Sequence, residues 1–205
     1  MTFDEYLNTH EIKKLQLGCG GNILPGWLNT DGQGDGWFHP DSVKLDASQP
    51  FPLPDNSFDY VYSEHMIEHL PYWSGQGMLK ESFRVLKPGG RIRISCPDMQ
   101  FLIDAYTNPT QIHLDYIEQT KPDWAPFPDA IFTFNNYVRD WGHQFIYNKR
   151  ILELSMMAAG FTNITEHSIL ESEDPVLQNL EIATRMPEGF LQLETMTLEG
   201  IKEGV

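Results

Sequence analysis

Long apolar runs, basic side chains and cysteines are all scarce in this 205-residue chain, and each scarcity removes a class of protein. No apolar stretch approaches the ~18 residues that a membrane-spanning helix requires, and residues 1–14 are polar, without the basic-then-apolar order of a signal peptide. Lysine and arginine number 14 against 29 aspartates and glutamates, a formal net charge of -15. A surface of that sign repels phosphate backbones and anionic lipid, so neither nucleic acid nor membrane is an expected partner. The only cysteines, Cys19 and Cys96, each lie beside an apolar run, which suits reduced, buried thiols in a cytoplasmic protein better than a disulfide framework. No composition shift, internal repeat or low-complexity tract divides the chain. The expectation is one domain over residues 1–185 and a C-terminal tail, 186–205, that docks as a helix or pairs with another subunit in a homodimer.

Against that background the hydrophobic period changes along the chain. Phe3, Tyr6 and Leu7 recur at helical spacing, after which residues 14–17 read as a strand running into glycines. Further short strands are expected at 27–31, ending on Asp31, at 43–45, ending before Asp46, and at 58–62; Pro25-Gly26 leaves little room for a helix before the second. Met78, Leu79, Phe83 and Leu86 form a helical stripe that Lys87-Pro88-Gly89-Gly90 stops, and residues 91–95 alternate as a fifth strand. A second long helix runs from Asn148, a plausible N-cap, to Gly160 as a left-handed C-cap. Strands near 161–169 and 178–183 complete the set. Strands alternating with helices predict an α/β fold, a mostly parallel sheet with ligand loops at the carboxyl ends of its strands.

The first of those loops is Gly18-Cys19-Gly20-Gly21-Asn22. A Gly-x-Gly turn after a strand admits a ligand where a Cβ would collide and allows positive φ. The dinucleotide fingerprint needs a third glycine three residues further on, but position 23 is Ile, and its acid should come ~20 residues on, whereas Asp31 arrives much sooner. A pyrophosphate cofactor is disfavoured. A phosphate-free nucleoside cofactor, S-adenosylmethionine, needs close backbone approach, an acceptor for ribose hydroxyls and a partner for adenine, which Asp31 and Asp46 can supply. Each acid has a plainer reading too: an Asx turn at Asp31, a cap at Asp46.

Leu15-Gln16-Leu17 with the glycine loop, Asn29-Thr30-Asp31, Phe51-Pro52-Leu53-Pro54-Asp55-Asn56-Ser57-Phe58-Asp59, Glu68-His69-Leu70, Arg84-Val85-Leu86-Lys87-Pro88-Gly89-Gly90 and Ala159-Gly160-Phe161 follow in order. The set resembles the class I S-adenosylmethionine-dependent methyltransferases, in particular small bacterial members of the methyltransferase-11 type, over about residues 12–185. The resemblance implies a Rossmann-like fold with a seven-stranded sheet flanked by helices, and S-adenosylmethionine as cofactor. It implies that Gly18 and Gly20, with Cys19 and Asn22 in the same loop, line the methionine moiety, that Asp31 binds ribose, and that Asp46, followed by Ala47, meets the adenine amine. Ser63-Glu64-His65 would border the reacting methyl. The compressed stretch between Gly20 and Asp31 departs from the pattern and leaves the first helix open.

His65-Met66-Ile67-Glu68-His69 also matches H-x-x-E-H, a zinc-peptidase pattern, but it follows the fourth strand of a cofactor-binding sheet and a peptidase would leave Asp31 and Asp46 unexplained. Positions i, i+3 and i+4 share a helical face, so His65, Glu68 and His69, joined by His143, form a less favoured metal-ligand set; the spacing resembles E-x-x-E-H of ubiquinone-pathway and small-RNA methyltransferases. The favoured role is acid-base. A sulfonium methyl is already activated, so the protein positions the acceptor and removes its proton, and a neutral imidazole suits that task. The candidates, in order, are His143, His65 and His69, each with a purely structural alternative.

Aromatics gather from residue 104 to 147, where periodicity weakens, and this stretch is read as a substrate cap. Trp124, Phe127, Tyr137, Arg139, Trp141 and Tyr147 are the candidate acceptor contacts, although most rings of such a cap pack inward. The segment around Trp141-Gly142-His143 resembles small methyltransferases of bacterial surface-polysaccharide loci, which implies a sugar hydroxyl or another small hydroxylated metabolite. No Asn-Pro-Pro-Tyr-like tetrapeptide follows the fourth strand, so base-type amine methylation is not indicated. The expected function is methyl transfer to a small non-nucleic acceptor; the alternative is a non-catalytic module of the same fold that binds S-adenosylmethionine or a partner.

Overall fold

The computed structural model describes residues 2–32 and 39–204. Seven strands form one sheet: β1 (Lys14–Leu17), β2 (Leu28–Asp31), β3 (Val43–Lys44), β4 (Phe58–Glu64), β5 (Leu86–Pro97), β6 (Thr162–His167) and β7 (Thr195–Ile201). Their order is β3-β2-β1-β4-β5-β7-β6, with β1 to β5 parallel and β7 antiparallel to both its neighbours. The order reverses between β1 and β4, so the loops leaving these two strands open a crevice at their carboxyl ends.

Pleat alternation sorts the side chains by face. Leu15, Val61 and Ile92 stand side by side across β1, β4 and β5, facing Met78 and Leu79 of α2 (Tyr72–Val85) and Leu152 and Met156 of α6 (Lys149–Ala159) in one buried cluster. On the opposite face the row Gln16, Tyr62, Arg93, Glu199 is polar yet buried. The irregular chain at 168–182 covers it: Arg93 donates at 2.7 Å to Glu181, at 2.6 Å to Glu199 and at 2.8 Å to the Glu171 carbonyl.

The caps expected on α6 are present. The Asn148 side chain accepts the Ile151 amide, and Gly160 adopts φ 113°, where an added Cβ would lie 2.8 Å from the Phe83 ring. Helix α1 (Phe3–Thr9) forms as its spacing predicts, and no helix intervenes between β1 and β2.

Two expectations are corrected. Residues 178–183 are not a strand; they belong to the irregular cover, with Leu180 and Glu181 buried. The antiparallel strand is instead β7, from the stretch read as a tail. Its Met196 and Leu198 face the apolar cluster while Thr197 and Glu199 face the polar side, and a buried glutamate reads from sequence as solvent-facing. The substrate cap is also more regular than its weak periodicity suggested. It contains α3 (Met99–Thr107), α4 (Gln111–Gln119) and α5 (Ala130–Arg139), which join α7 (Phe190–Glu194) around Phe101, Tyr116, Tyr137 and Phe190. Helix α5 buries Thr133 and Asn136 beside Tyr137 and leaves Ile131 exposed, so its apolar residues mark its inward face only in part.

Candidate active site

The glycine loop leaves β1 through two left-handed residues, Gly18 (φ 66°) and Gly20 (φ 50°). It is tied to the end of β2, because the Cys19 amide donates to the Thr30 carbonyl at 2.9 Å and the Gly20 amide to the Asp31 carboxylate at 2.9 Å. A Cβ on Gly18 would lie 2.2 Å from Cγ of Met66, whereas the corresponding position at Gly20 is open. The two glycines therefore serve different ends. Gly18 lets the turn after β4 pack onto the loop, and Gly20 leaves a bare backbone surface for a ligand. Cys19 is buried, which pushes its thiol up to about 11.

Asn22 bridges outward, donating to the Leu180 carbonyl at 3.0 Å and to Glu64 at 3.4 Å. Glu64 also accepts the Ile182 amide at 3.2 Å and Arg185 at 2.9 Å, and burial raises its carboxyl above the ordinary range. Neither Leu180 nor Arg185 was suggested by any sequence pattern. The Ser63 hydroxyl is buried without a hydrogen-bond partner among the described residues. Asp46 adopts the plainer of its two readings: its carboxylate accepts the Ser48 hydroxyl at 2.7 Å and amide at 2.9 Å, which lowers its pKa. Ala47 packs against the apolar cluster. Gly20, Asn22, Asp31 and Glu64 are thus brought together, with Asp46 close by but committed to a turn. The bare Gly20 surface, the half-buried Asp31 at the β2 end and the orphaned Ser63 hydroxyl fit a neutral nucleoside group.

The histidine segment is not the helical face expected of it. His65 takes φ 45° where β4 ends, and only Ile67–His69 forms a short 3-10 turn. The His65 ring lies between two groups, its Nε2 2.8 Å from the Thr195 hydroxyl and its Nδ1 3.6 Å from Glu68; burial holds its pKa well below the ordinary value. His69 and His143 also come close to Glu68. Amides of Gln144 and Phe145 both donate to the Glu68 carbonyl, at 2.8 and 3.1 Å, after a tight turn through left-handed Trp141 and Gly142. That turn carries His143 to within 4.9 Å of the His69 ring, centroid to centroid.

Glu68 is fully buried, neither of its oxygens has a hydrogen-bond partner among the described residues, and burial pushes its carboxyl up to about 8. His143 Nδ1 lies 2.7 Å from the Tyr137 carbonyl and must donate to it, so Nε2 of the neutral ring carries the lone pair. His69 packs its Nδ1 side against the Gly142 backbone and holds Nε2 3.9 Å from Glu68. Burial lowers the pKa of both rings.

The proposed acceptor contacts divide. Tyr137 and Tyr147 are buried; Tyr137 shares Glu194 with Tyr116 inside the cap, and Tyr147 belongs to the main core, which removes both from a ligand surface. Trp124 and Arg139 line a cleft of about 360 Å³, and Trp124 donates to Asp140 at 3.2 Å. Phe127 is exposed and edge-on to Phe132, while Trp141 is exposed and edge-on to both Tyr137 and His143. A second cleft, about 240 Å³, is bordered by His143, Met99 and Phe145.

The methyltransferase-11 family, described as a methyltransferase domain, matches residues 26–94, from the approach to β2 through most of β5. The seven-stranded, mostly parallel sheet flanked by helices is the Rossmann-like fold of the class I S-adenosylmethionine-dependent methyltransferases, and the family match over residues 26–94 is a likeness to the same class, whose cofactor is S-adenosylmethionine. Among curated relatives, a sterol 24-C-methyltransferase of Aspergillus fumigatus is 42% identical over 71 residues, 35% of this chain and 17% of that protein. The chain spans less than a fifth of the length of the curated relatives it matches. Among solved structures, phosphoethanolamine N-methyltransferase 2 of Haemonchus contortus, in complex with S-adenosyl-L-methionine, superposes with a TM-score of 0.56 at 14% identity, over 98% of this chain and 53% of that one. A SAM-dependent methyltransferase of Archaeoglobus fulgidus does so with a TM-score of 0.54 at 16% identity, over 98% and 90%.

Proposed function

We propose that this chain transfers the methyl group of S-adenosylmethionine to a hydroxyl of a small, non-nucleic acceptor, such as a sugar or another hydroxylated metabolite. The observation that carries the reading is the placement of two neutral imidazoles beside the turn that packs on the glycine loop. Gly20 and Asp31 hold the cofactor, which supplies a methyl on a positively charged sulfur leaving group, in a loop whose shape Gly18 permits. His143 Nε2 takes the hydroxyl proton as the acceptor oxygen bonds to the methyl carbon and the carbon–sulfur electron pair returns to sulfur. Trp141, Trp124, Phe127 and Arg139 offer the exposed aromatic and cationic contacts for a small polar acceptor, and the net charge of -15 argues against a polyanion. Two buried free thiols suit a reducing, cytoplasmic setting. Among the described residues no helix is long and apolar enough to cross a membrane.

The second reading, a cofactor-binding module without turnover, draws on Glu64 and Asp46, whose carboxylates are engaged within the chain. Calorimetric titration with S-adenosylhomocysteine, followed by transfer of labelled methyl to a panel of hydroxylated small molecules, separates the two. Binding without transfer to any acceptor supports the module; no binding at all overturns both.

A further inference from the structure

We infer that Glu68, His69 and His143 form a binding site for a first-row divalent transition-metal ion. One carboxylate oxygen of Glu68 and one ring nitrogen from each histidine already lie within 4.8 Å of one another. Ligands at about 2.1 Å around a tetrahedral ion stand roughly 3.4 Å apart, so an inward movement on the order of an ångström closes the site.

Three further features point to a cation. Glu68 is wholly buried with both oxygens unpartnered, a state that is costly unless something positive meets it. His143 is oriented by donating Nδ1 to a backbone carbonyl, which is how ligating histidines are commonly held, with Nε2 free. His69 Nε2 lies 3.9 Å from Glu68 and its ring is partly exposed, which provides an entry route. Two imidazoles and one carboxylate suit zinc, cobalt, iron or nickel better than magnesium or calcium, which favour all-oxygen sites. Three protein ligands leave a further position open on the ion, and because coordination takes the His143 Nε2 lone pair, the base role proposed above belongs to the metal-free chain and a bound ion would block it. His65, bonded to Thr195, borders the site with its Nδ1 3.6 Å from Glu68.

Only that effect of the ion rests on the methyl-transfer reading; its binding does not. The test takes the full-length, untagged chain stripped with a chelator, titrates it with Co2+ followed by visible absorption, and displaces the cobalt with Zn2+. One ion per chain is expected, with affinity reduced about a hundredfold or more in His143→Ala, His69→Ala and the near-isosteric Glu68→Gln, and unchanged in His10→Ala. Circular dichroism and S-adenosylhomocysteine binding report separately on fold and cofactor site. Absence of stoichiometric cobalt binding, or binding that survives these substitutions, overturns the metal site while leaving the methyltransferase reading intact. Cobalt bound as expected with no affinity for S-adenosylhomocysteine overturns that reading alone.

Discussion

Replacing Glu68 with glutamine in the metal-stripped chain tests whether a buried carboxyl is held there at the expense of stability. Its neighbours are His65, His69 and His143, all kept neutral by burial, with Glu64 and Glu194 raising its pKa and Arg185 lowering it. Burial dominates and lifts the carboxyl from 4.5 in the unfolded chain to about 8. Between these values the folded protein keeps a proton that the unfolded chain has released. The contribution is therefore complete below pH 4.5 and falls by about 1.4 kcal/mol per pH unit until about pH 8. From pH 5 to pH 7.5 the loss is on the order of 3 kcal/mol. Glutamine has no proton to lose. Urea unfolding of both proteins at the two pH values, with chelator present, should show the stability gap moving in favour of Glu68→Gln by that amount, since the other titrating groups cancel. Adding Zn2+ at pH 7.5 should recover stability in the parent chain only, because an ion bound solely to the folded state shifts the equilibrium by mass action. Stability curves that stay parallel to within about 0.5 kcal/mol would refute the account of this carboxyl.

Arg93→Ala leaves Glu181 and Glu199 buried beneath the 168–182 cover without their shared cation, and should lower stability by about 3–5 kcal/mol in chemical denaturation. A loss below about 1 kcal/mol would show that Ser95, Ser172 and the Leu170 amide suffice for them. Gly160→Ala combines φ 113° with a 2.8 Å approach to Phe83, and thermal unfolding should register a loss of roughly 1–3 kcal/mol; an unchanged midpoint contradicts the cap geometry. Asp31→Ala should weaken S-adenosylhomocysteine about ten- to a hundredfold by calorimetry, the worth of a charged hydrogen bond, whereas Asp46→Ala should cost less because Ser48 already occupies that carboxylate. Equal losses would place Asp46 on the cofactor after all.

Local chemistry made much of this protein legible from its residues. Glycines at 18 and 20 demand a left-handed turn wherever the first strand ends, Asn148 and Gly160 cap a helix whatever surrounds it, and alternation in 91–95 makes a strand. Asp31 at a strand end beside those glycines was readable for the same reason. What tertiary structure alone decided was which polar groups are shut away together. Glu199 reads as solvent-facing until an irregular segment folds over Arg93 and makes that face interior. From the sequence, His143 joined Glu68 only as a less favoured metal-ligand set; two backbone amides on one carbonyl bring them together, and a left-handed turn at Trp141-Gly142 aims the ring. Tyr137 and Tyr147, candidate acceptor contacts because they lie in the aromatic-rich cap, are in the interior instead. Periodicity reports the conformation of a segment through its neighbours a turn or a pleat away, whereas the company a buried carboxyl or imidazole keeps depends on long-range packing that no short window records.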